Sequence, residues 1–245
     1  MANNQIMNKE DYIIELEQQV DHVFDIETCS MLEAHLSLVL EANQTTNITN
    51  IKGLEEARYL HVYDSLLGLK HLLDSPKGCI LDIGSGAGYP GVPLVIASRW
   101  QGVLIDAVKK KAEILSRFIW RLGLEGLVRV EATRAEKMAI QEPGGFTAVC
   151  ARAVSHLGVI AELAAPLLVN GGKLIAYKGP KAYQELEESK DVLKVLGFSI
   201  VGCDEYEIPY KCEKRVIACL IKTQEPKLKL PRHDGFAQKK PLYKR

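Results

Sequence analysis

The chain has no run of eighteen apolar residues, so no segment of it reads as a membrane span. Met1 to Asp11 is polar and lacks the apolar stretch of a secretory leader. No pair of its six cysteines (Cys29, Cys79, Cys150, Cys203, Cys212, Cys219) forms C-x-x-C. They share no ligand spacing with the six histidines (His22, His35, His61, His71, His156, His233). That argues against a zinc site and a disulfide framework, and for buried, reduced thiols in a cytoplasmic protein. The sequons at Asn43 and Asn47 carry no meaning without secretion. There is no G-x-S-x-G and no P-loop lysine, which removes two common catalytic architectures. There is no internal repeat. The formal net charge is zero, but it is unevenly spread. Residues 1–60 carry eleven acids and three bases, whereas residues 222–245 carry eight bases and two acids. A neutral average therefore leaves room for a polyanionic partner at the basic end.

A chain of 245 residues can bury one α/β core and an appendage. Apolar residues recur at three and four over 9–43 (Leu16, Val20, Val23, Phe24; Leu32, Leu36, Val39, Leu40), which predicts helix. A second helical stretch is expected over 54–73, closed by Pro76 and Gly78. Beyond it, apolar runs predict strands at 79–83, 102–106, 127–131, 146–151, 172–178, 198–206 and 214–222. Helical segments are expected near 91–98, 109–122, 155–168 and 182–196. Such alternation argues for a mostly parallel sheet covered on both faces. The last two strands are joined through Pro209-Tyr210, too short for a crossover helix, and should pair as an antiparallel hairpin at the sheet edge. The expected division is a helical extension over 1–76, the α/β domain over 77–223 and a basic tail over 224–245.

The richest stretch runs from Cys79 to Gly91: a buried strand enters a glycine turn at Gly84, Gly86 and Gly88. Without a Cβ, such a turn lets backbone N–H groups approach a ligand closely. The next strand ends on Asp106, suited to accept hydrogen bonds from a ribose. Together they point to a nucleoside-bearing cofactor. Gly86, Gly88 and Gly91 spell the dinucleotide pattern, but the strand end at Ile83 makes Gly84 the first turn glycine. In that register Tyr89 takes the place of the glycine that packs beside a pyrophosphate. Asp82, two residues before the turn, suits the amine of S-adenosyl-L-methionine better than it suits a phosphate. The alternative is a tight strand–helix turn with no ligand.

In an open α/β sheet, ligands bind beyond the carboxyl ends of the strands. Ala135 and Glu136 lie just past the third strand, Arg152 after the fourth, and Lys178-Gly179 after the fifth. Glu136 is suited to the adenine side of a cofactor, or is a surface glutamate at a helix start. Arg152 stands where a transferred group would meet its acceptor, or forms an ion pair with a nearby carboxylate.

These blocks, in this order, resemble the bacterial small-subunit ribosomal RNA methyltransferase G family, also called glucose-inhibited division protein B. Asn47-Ile48-Thr49 is similar to its N-L-T, His61 to Ser65 to its H-x-x-D-S, and Asp82 to Gly91 to its D-I-G-S-G-A-G-F-P-G. Asp106, Arg134-Ala135-Glu136, Ala151-Arg152-Ala153, Lys178-Gly179 and the Arg215 segment follow in order. Pro231-Arg232 and Lys239 to Leu242 are similar to its basic tail. The chain departs from the family at Ala42-Asn43, where a tryptophan is usual. It departs again at His233 to Phe236, where arginine–alanine–glycine–threonine is common.

The resemblance implies a Rossmann-like class I methyltransferase fold with a mostly parallel seven-stranded sheet, an antiparallel edge strand and an N-terminal helical extension. It implies methyl transfer from S-adenosyl-L-methionine to N7 of a guanine in 16S rRNA, position 527 of the 530 loop, with the small ribosomal subunit as partner. It also implies cofactor contacts by Gly84, Tyr89, Ala135, Glu136 and Arg152. Guanine N7 already carries a lone pair, so no general base is required, and alignment would dominate. Arg152 and Lys178 are then expected to hold the guanosine or its phosphates. His61 and Asp64, three apart on a helix, share a face and either border the pocket or form a surface pair. The default assembly is a monomer. The competing readings are a nicotinamide-dependent oxidoreductase, a non-catalytic RNA-binding or assembly protein, and a methyltransferase of protein or small molecules.

Overall fold

The computed structural model describes residues 9–243. The extreme N-terminal residues 1–8, and Lys244 and Arg245 of the basic tail, lie outside the described residues. The predicted sheet is present with seven strands: β1 Cys79–Ile83, β2 Gln101–Ile105, β3 Val128–Glu131, β4 Phe146–Arg152, β5 Leu168–Lys178, β6 Phe198–Ile208 and β7 Glu213–Lys222. Their order is β3-β2-β1-β4-β5-β7-β6. β1 to β5 pair in parallel. β7 runs antiparallel to both β5 and β6, so the reversed strand lies one place inside the edge and β6 forms the rim of the hairpin. β1 is buried from Ile80 to Ile83, as a central parallel strand covered on both faces must be.

Side-chain alternation divides the core into two halves. Ile80, Leu104, Ala148, Cys150, Ile175 and Tyr177 face one side. That side is covered by α1 Lys9–Val20, α2 Ile26–Thr46, α6 Gly91–Ser98, α7 Lys109–Arg121 and the helical segment between Leu54 and Leu73. The segment is made of α3 Leu54–Ala57, a π turn Arg58–Tyr63, α4 Asp64–Leu66 and α5 Leu69–Leu73. Leu81, Ile83, Val103, Val149 and Ala176 face the other side, under α8 Ala135–Gln141, α9 Leu157–Ala164 and α10 Ala182–Val195. α7 shows the rule: Ala112, Leu115, Phe118 and Ile119, three and four apart, are its buried stripe. The N-terminal helices thus share one core with the sheet. Leu32 and Leu36 are fully buried there, each contributing about 2 kcal/mol by removal from water.

Three local expectations differ from the structure. The single helical stretch over 9–43 is broken at Asp21 (φ 51°), and Asp25 caps α2 by accepting from Thr28 N at 2.7 Å. Val23, placed in the apolar stripe by spacing, falls in this break and is exposed. α8 occupies the β3–β4 connection, where apolar periodicity marks no helix and only the alternative reading of Glu136 places a helix start. Of the cysteines, Cys150 and Cys219 are buried, but Cys212 is exposed, at the end of the turn between β6 and β7.

The basic tail packs against the domain. Lys227 N donates to Val195 O, Leu228 and Leu230 are partly buried, and α11 Phe236–Lys239 inserts Ala237 into the core under α9. Among the bases of 222–245, Lys222 at the end of β7 is buried against Leu168 O and Glu225, and Arg232 of the tail is paired with Glu162. Lys227, Lys229, Lys239 and Lys240 remain exposed.

Candidate active site

The carboxyl ends of β1 to β5 share one rim because these strands are parallel. β1 stops at Ile83, and Gly84, Gly86 and Gly88 take φ of 75°, 55° and 96°. A Cβ on Gly84 would stand 3.0 Å from Val154 and in a left-handed backbone, so glycine is required there. Gly84 and Ser85 donate to Ile105 O, which ties the turn to β2. Asp106 braces it from the front: Oδ2 accepts from Gly86 N at 3.1 Å and Oδ1 from Val108 N at 2.7 Å.

Gly91, rather than a residue at position 89, makes the close helix–strand approach. A Cβ there would stand 2.4 Å from Leu104 and 2.7 Å from Asp82. The tyrosine at 89 does not stand at that contact; its ring packs against His35 and His61 of the N-terminal helices.

Asp82 is fully buried, with Oδ2 accepting from Gly91 N at 3.0 Å and Oδ1 without a hydrogen-bond partner. Burial pushes its carboxyl up to about 6. Cys150 faces it across the β1–β4 pair, and its thiol is raised by the same burial and by Asp82 itself. An orphaned acidic oxygen beside a glycine cradle fits a ligand ammonium.

On this face lies a polar cluster spanning two parts of the chain. Arg152 Nη1 donates to Asp64 Oδ2 at 2.8 Å and to Leu60 O at 3.0 Å, within the π turn and its continuation. A wide turn of this kind is frequent at functional sites. Arg152 Nη2 lies 3.4 Å from His61 Nδ1. A guanidinium can only donate, so Nδ1 is the acceptor and Nε2–H donates to Thr49 Oγ1 at 2.9 Å. Arg215 Nε stands 3.6 Å from Asp64 Oδ1. The Asn47-Ile48-Thr49 and His61-to-Ser65 segments therefore meet Arg152 and Arg215 at one place. Tyr89 is sandwiched here: His61 stacks on it at 4.4 Å, His35 lies at 4.6 Å, and Arg152 sits over its ring at 5.5 Å. Burial and the Arg152 charge lower His61 to about 3. Burial lowers His35 to about 4, and its Nε2–H donates to Ala87 O of the glycine loop.

On the other face, a cavity of about 110 Å³ opens between the ends of β1, β2 and β3. Ile83, Gly84, Ile105, Thr133, Ala135 and Glu136 line it, with Gly235, Ala237 and Gln238 from the tail.

The expected site residues thus separate into groups. Gly84, Ala135 and Glu136 line the cavity, Gly86 and Asp106 brace the turn, and Asp82, Tyr89 and Arg152 lie on the N-terminal-helix face. Lys178 joins none of these. Arg152 pairs in register with Tyr177, so alternation sends Lys178 to the opposite face. There its ammonium donates to Ser155 O at 2.7 Å and pairs with Glu185 Oε2 at 2.6 Å. Its visible task is to hold the β4–α9 loop in place. The sequence reading missed the tail residues of the cavity and the role of His35. Among the described residues, no three histidines, cysteines or acids group as metal ligands, and no helix is long and apolar enough to cross a membrane.

Comparison with known proteins follows the same outline. The family model described as rRNA small subunit methyltransferase G, GidB, matches residues 28–208. A relative from Pelotomaculum thermopropionicum named ribosomal RNA small subunit methyltransferase G is 37% identical over 86% of this chain and 89% of its own. One of the same name from Lactobacillus helveticus is 32% identical over 96% of this chain and 100% of its own. Among solved structures, a Burkholderia thailandensis 1,6-didemethyltoxoflavin N1-methyltransferase with bound S-adenosylhomocysteine is similar at TM-score 0.56. It shares 15% identity and covers 77% of this chain and 89% of its own. The YcgJ protein of Bacillus subtilis is similar at TM-score 0.54 and 16% identity, covering 67% of this chain and all of its own. At these identities the two structures speak for the fold alone.

Proposed function

The chain belongs to the rRNA small subunit methyltransferase G family, and from that premise we propose that it transfers a methyl group from S-adenosyl-L-methionine to N7 of a guanine in 16S rRNA. One observation carries the reading. The glycine turn braced by Asp106 and the Arg152–Asp64 cluster stand on one rim, where a cofactor and an acceptor base can be brought together.

When bound, S-adenosyl-L-methionine supplies an electrophilic methyl group on a sulfonium. Asp82, through its unpartnered Oδ1, is the residue suited to the ligand's ammonium. Asp106 stands where a ribose would lie, and Ala135 and Glu136 border the cavity for the base. Guanine N7 presents a lone pair and loses no proton, so the site needs no general base. His35 and His61 fit that requirement: burial depresses both, and each is used in a structural hydrogen bond.

Arg152 is fixed by Asp64 and the Leu60 carbonyl, and it holds the guanosine or its phosphate at a set position. Pre-fixed geometry of this kind supplies the alignment that an in-line transfer requires. Lys178 contributes by holding the loop after β4. A base stacked in a helix is out of reach, so the acceptor lies in a loop or is drawn from its stack. The exposed Lys227, Lys229, Lys239 and Lys240 add phosphate attraction that weakens with salt. On this reading the protein works in the cytoplasm with the small ribosomal subunit as partner, and a monomer is the default assembly.

Transfer of labelled methyl from S-adenosyl-L-methionine to rRNA of cells lacking the protein tests the reading. Recovery of the label as 7-methylguanosine supports it; label on another base, or on protein alone, overturns it.

A further inference from the structure

The cavity at the ends of β1, β2 and β3 has a wall that the sheet does not supply. Facing Ile83, Ile105 and Glu136 stand Gly235, Ala237 and Gln238 of the tail. We infer that the C-terminal segment 232–238 forms part of the cofactor's base subsite, closing the cavity over an adenine-type ring. The inference rests on the S-adenosyl-L-methionine reading above and deepens it.

The segment is built into this position. Arg232 Nε and Nη2 donate to the two carboxylate oxygens of Glu162 at 2.7 and 2.6 Å. Glu162 is only 3% exposed on α9, so losing Arg232 would strand a buried charge. A fork-to-fork pair also fixes orientation as well as distance. Gly235 N donates to Glu136 Oε1 at 2.7 Å, which joins the tail to the residue expected at the base. Gly235 takes φ 74°, a left-handed turn that suits glycine and starts α11. Ala237 is buried at 2% exposure, and Tyr243 stacks on His156 at 3.7 Å. A frayed tail would make none of these contacts.

The chemistry of the lining defines the ligand class. Ile83, Ile105, Val154, Leu163 and Ala237 offer apolar surfaces for a flat ring. Glu136 and the Gln238 amide supply acceptors and donors at its edge. The cavity also borders Gly84, so a ring seated here leaves the rest of the ligand to run toward the glycine turn.

The test uses the full chain and S-adenosylhomocysteine in calorimetric titrations. Gln238 is exposed, so Gln238→Trp fills the cavity without loading the core. We expect this variant to bind about tenfold or more weakly, with an unchanged melting temperature. In the unmodified protein, ligand should slow amide hydrogen exchange over 235–238. Unchanged affinity in Gln238→Trp, with unchanged exchange over the tail while the ligand is bound, would overturn the inference and leave the cofactor reading standing. Absence of any binding by the unmodified chain would instead overturn the cofactor reading, and the tail's role with it.

Discussion

Arg152 Nη1 and Asp64 Oδ2 lie 2.8 Å apart, although 88 residues separate them in the chain. This pair joins the end of β4 to the N-terminal helices, and Arg215 approaches the same carboxylate from β7. Asp64 is 3% exposed, so these partners stand where water would otherwise meet its carboxylate. Asp64→Asn should cost about 3 kcal/mol in urea unfolding. It should also lower methyl transfer more than S-adenosylhomocysteine affinity, because Asp64 fixes Arg152, which is expected to meet the acceptor base as well as the cofactor. Equal losses in transfer and cofactor affinity would contradict that division.

Lys178 is expected to act through the β4–α9 loop. Lys178→Met removes the donor to Ser155 O and leaves Glu185 without its cation, at about 2 kcal/mol. Adding Glu185→Gln removes the stranded charge, so the double variant should recover stability and much of the methyl transfer. A stable double variant that remains inactive would show instead that Lys178 touches the RNA.

Asp82 gives the site a proton linkage. Its carboxyl rises from 3.8 to about 6 through burial, so the folded protein holds this proton more tightly than the unfolded chain. The stabilisation is fully present below about pH 4 and is lost as pH rises through about 6, a change of about 3 kcal/mol. A ligand ammonium at Oδ1 favours the charged form, so binding near pH 6 should release a proton. Titrations of S-adenosylhomocysteine in buffers of different ionisation enthalpy measure that release. It should vanish at pH 8 and in Asp82→Asn; persistence in Asp82→Asn would assign the proton to another group.

Tyr89 carries a buried hydroxyl with no hydrogen-bond partner. Tyr89→Phe should therefore be neutral or stabilising by up to about 1 kcal/mol. Tyr89→Ala opens a hole between His35 and His61 and should cost about 4 kcal/mol. Because the ring faces the N-terminal helices, cofactor affinity should survive in Tyr89→Phe. Its loss there would show that the hydroxyl reaches the ligand.

What was legible in the sequence follows from the range of the forces involved. β1 and its glycine turn were readable because a buried parallel strand is a continuous apolar run and the left-handed turn demands glycine. The break after α1 carried a local signal as well, the Asp25 cap with Thr28 three residues on, but no glycine or proline marks it. α8 has seven residues, too few turns for a helical period to stand out. The choice of cofactor could not rest on glycine spacing, since Gly91 does provide the close packing that the dinucleotide pattern requires. Lys178 was placed near Arg152 by strand order alone. The β4–β5 register, which sends the two to opposite faces, exists only after the strands pair. The docking of the tail depends on Arg232 meeting Glu162 seventy residues away, and composition shows only that the segment is basic.

Methyl transfer to small subunits and to naked 16S rRNA from cells lacking this protein, with the labelled nucleotide mapped by N7-specific cleavage, puts the proposed function to its sharpest test. Label is expected at a single guanine of the 530 loop. Label spread over many guanines, or none on either RNA despite measurable S-adenosylhomocysteine binding, would contradict it.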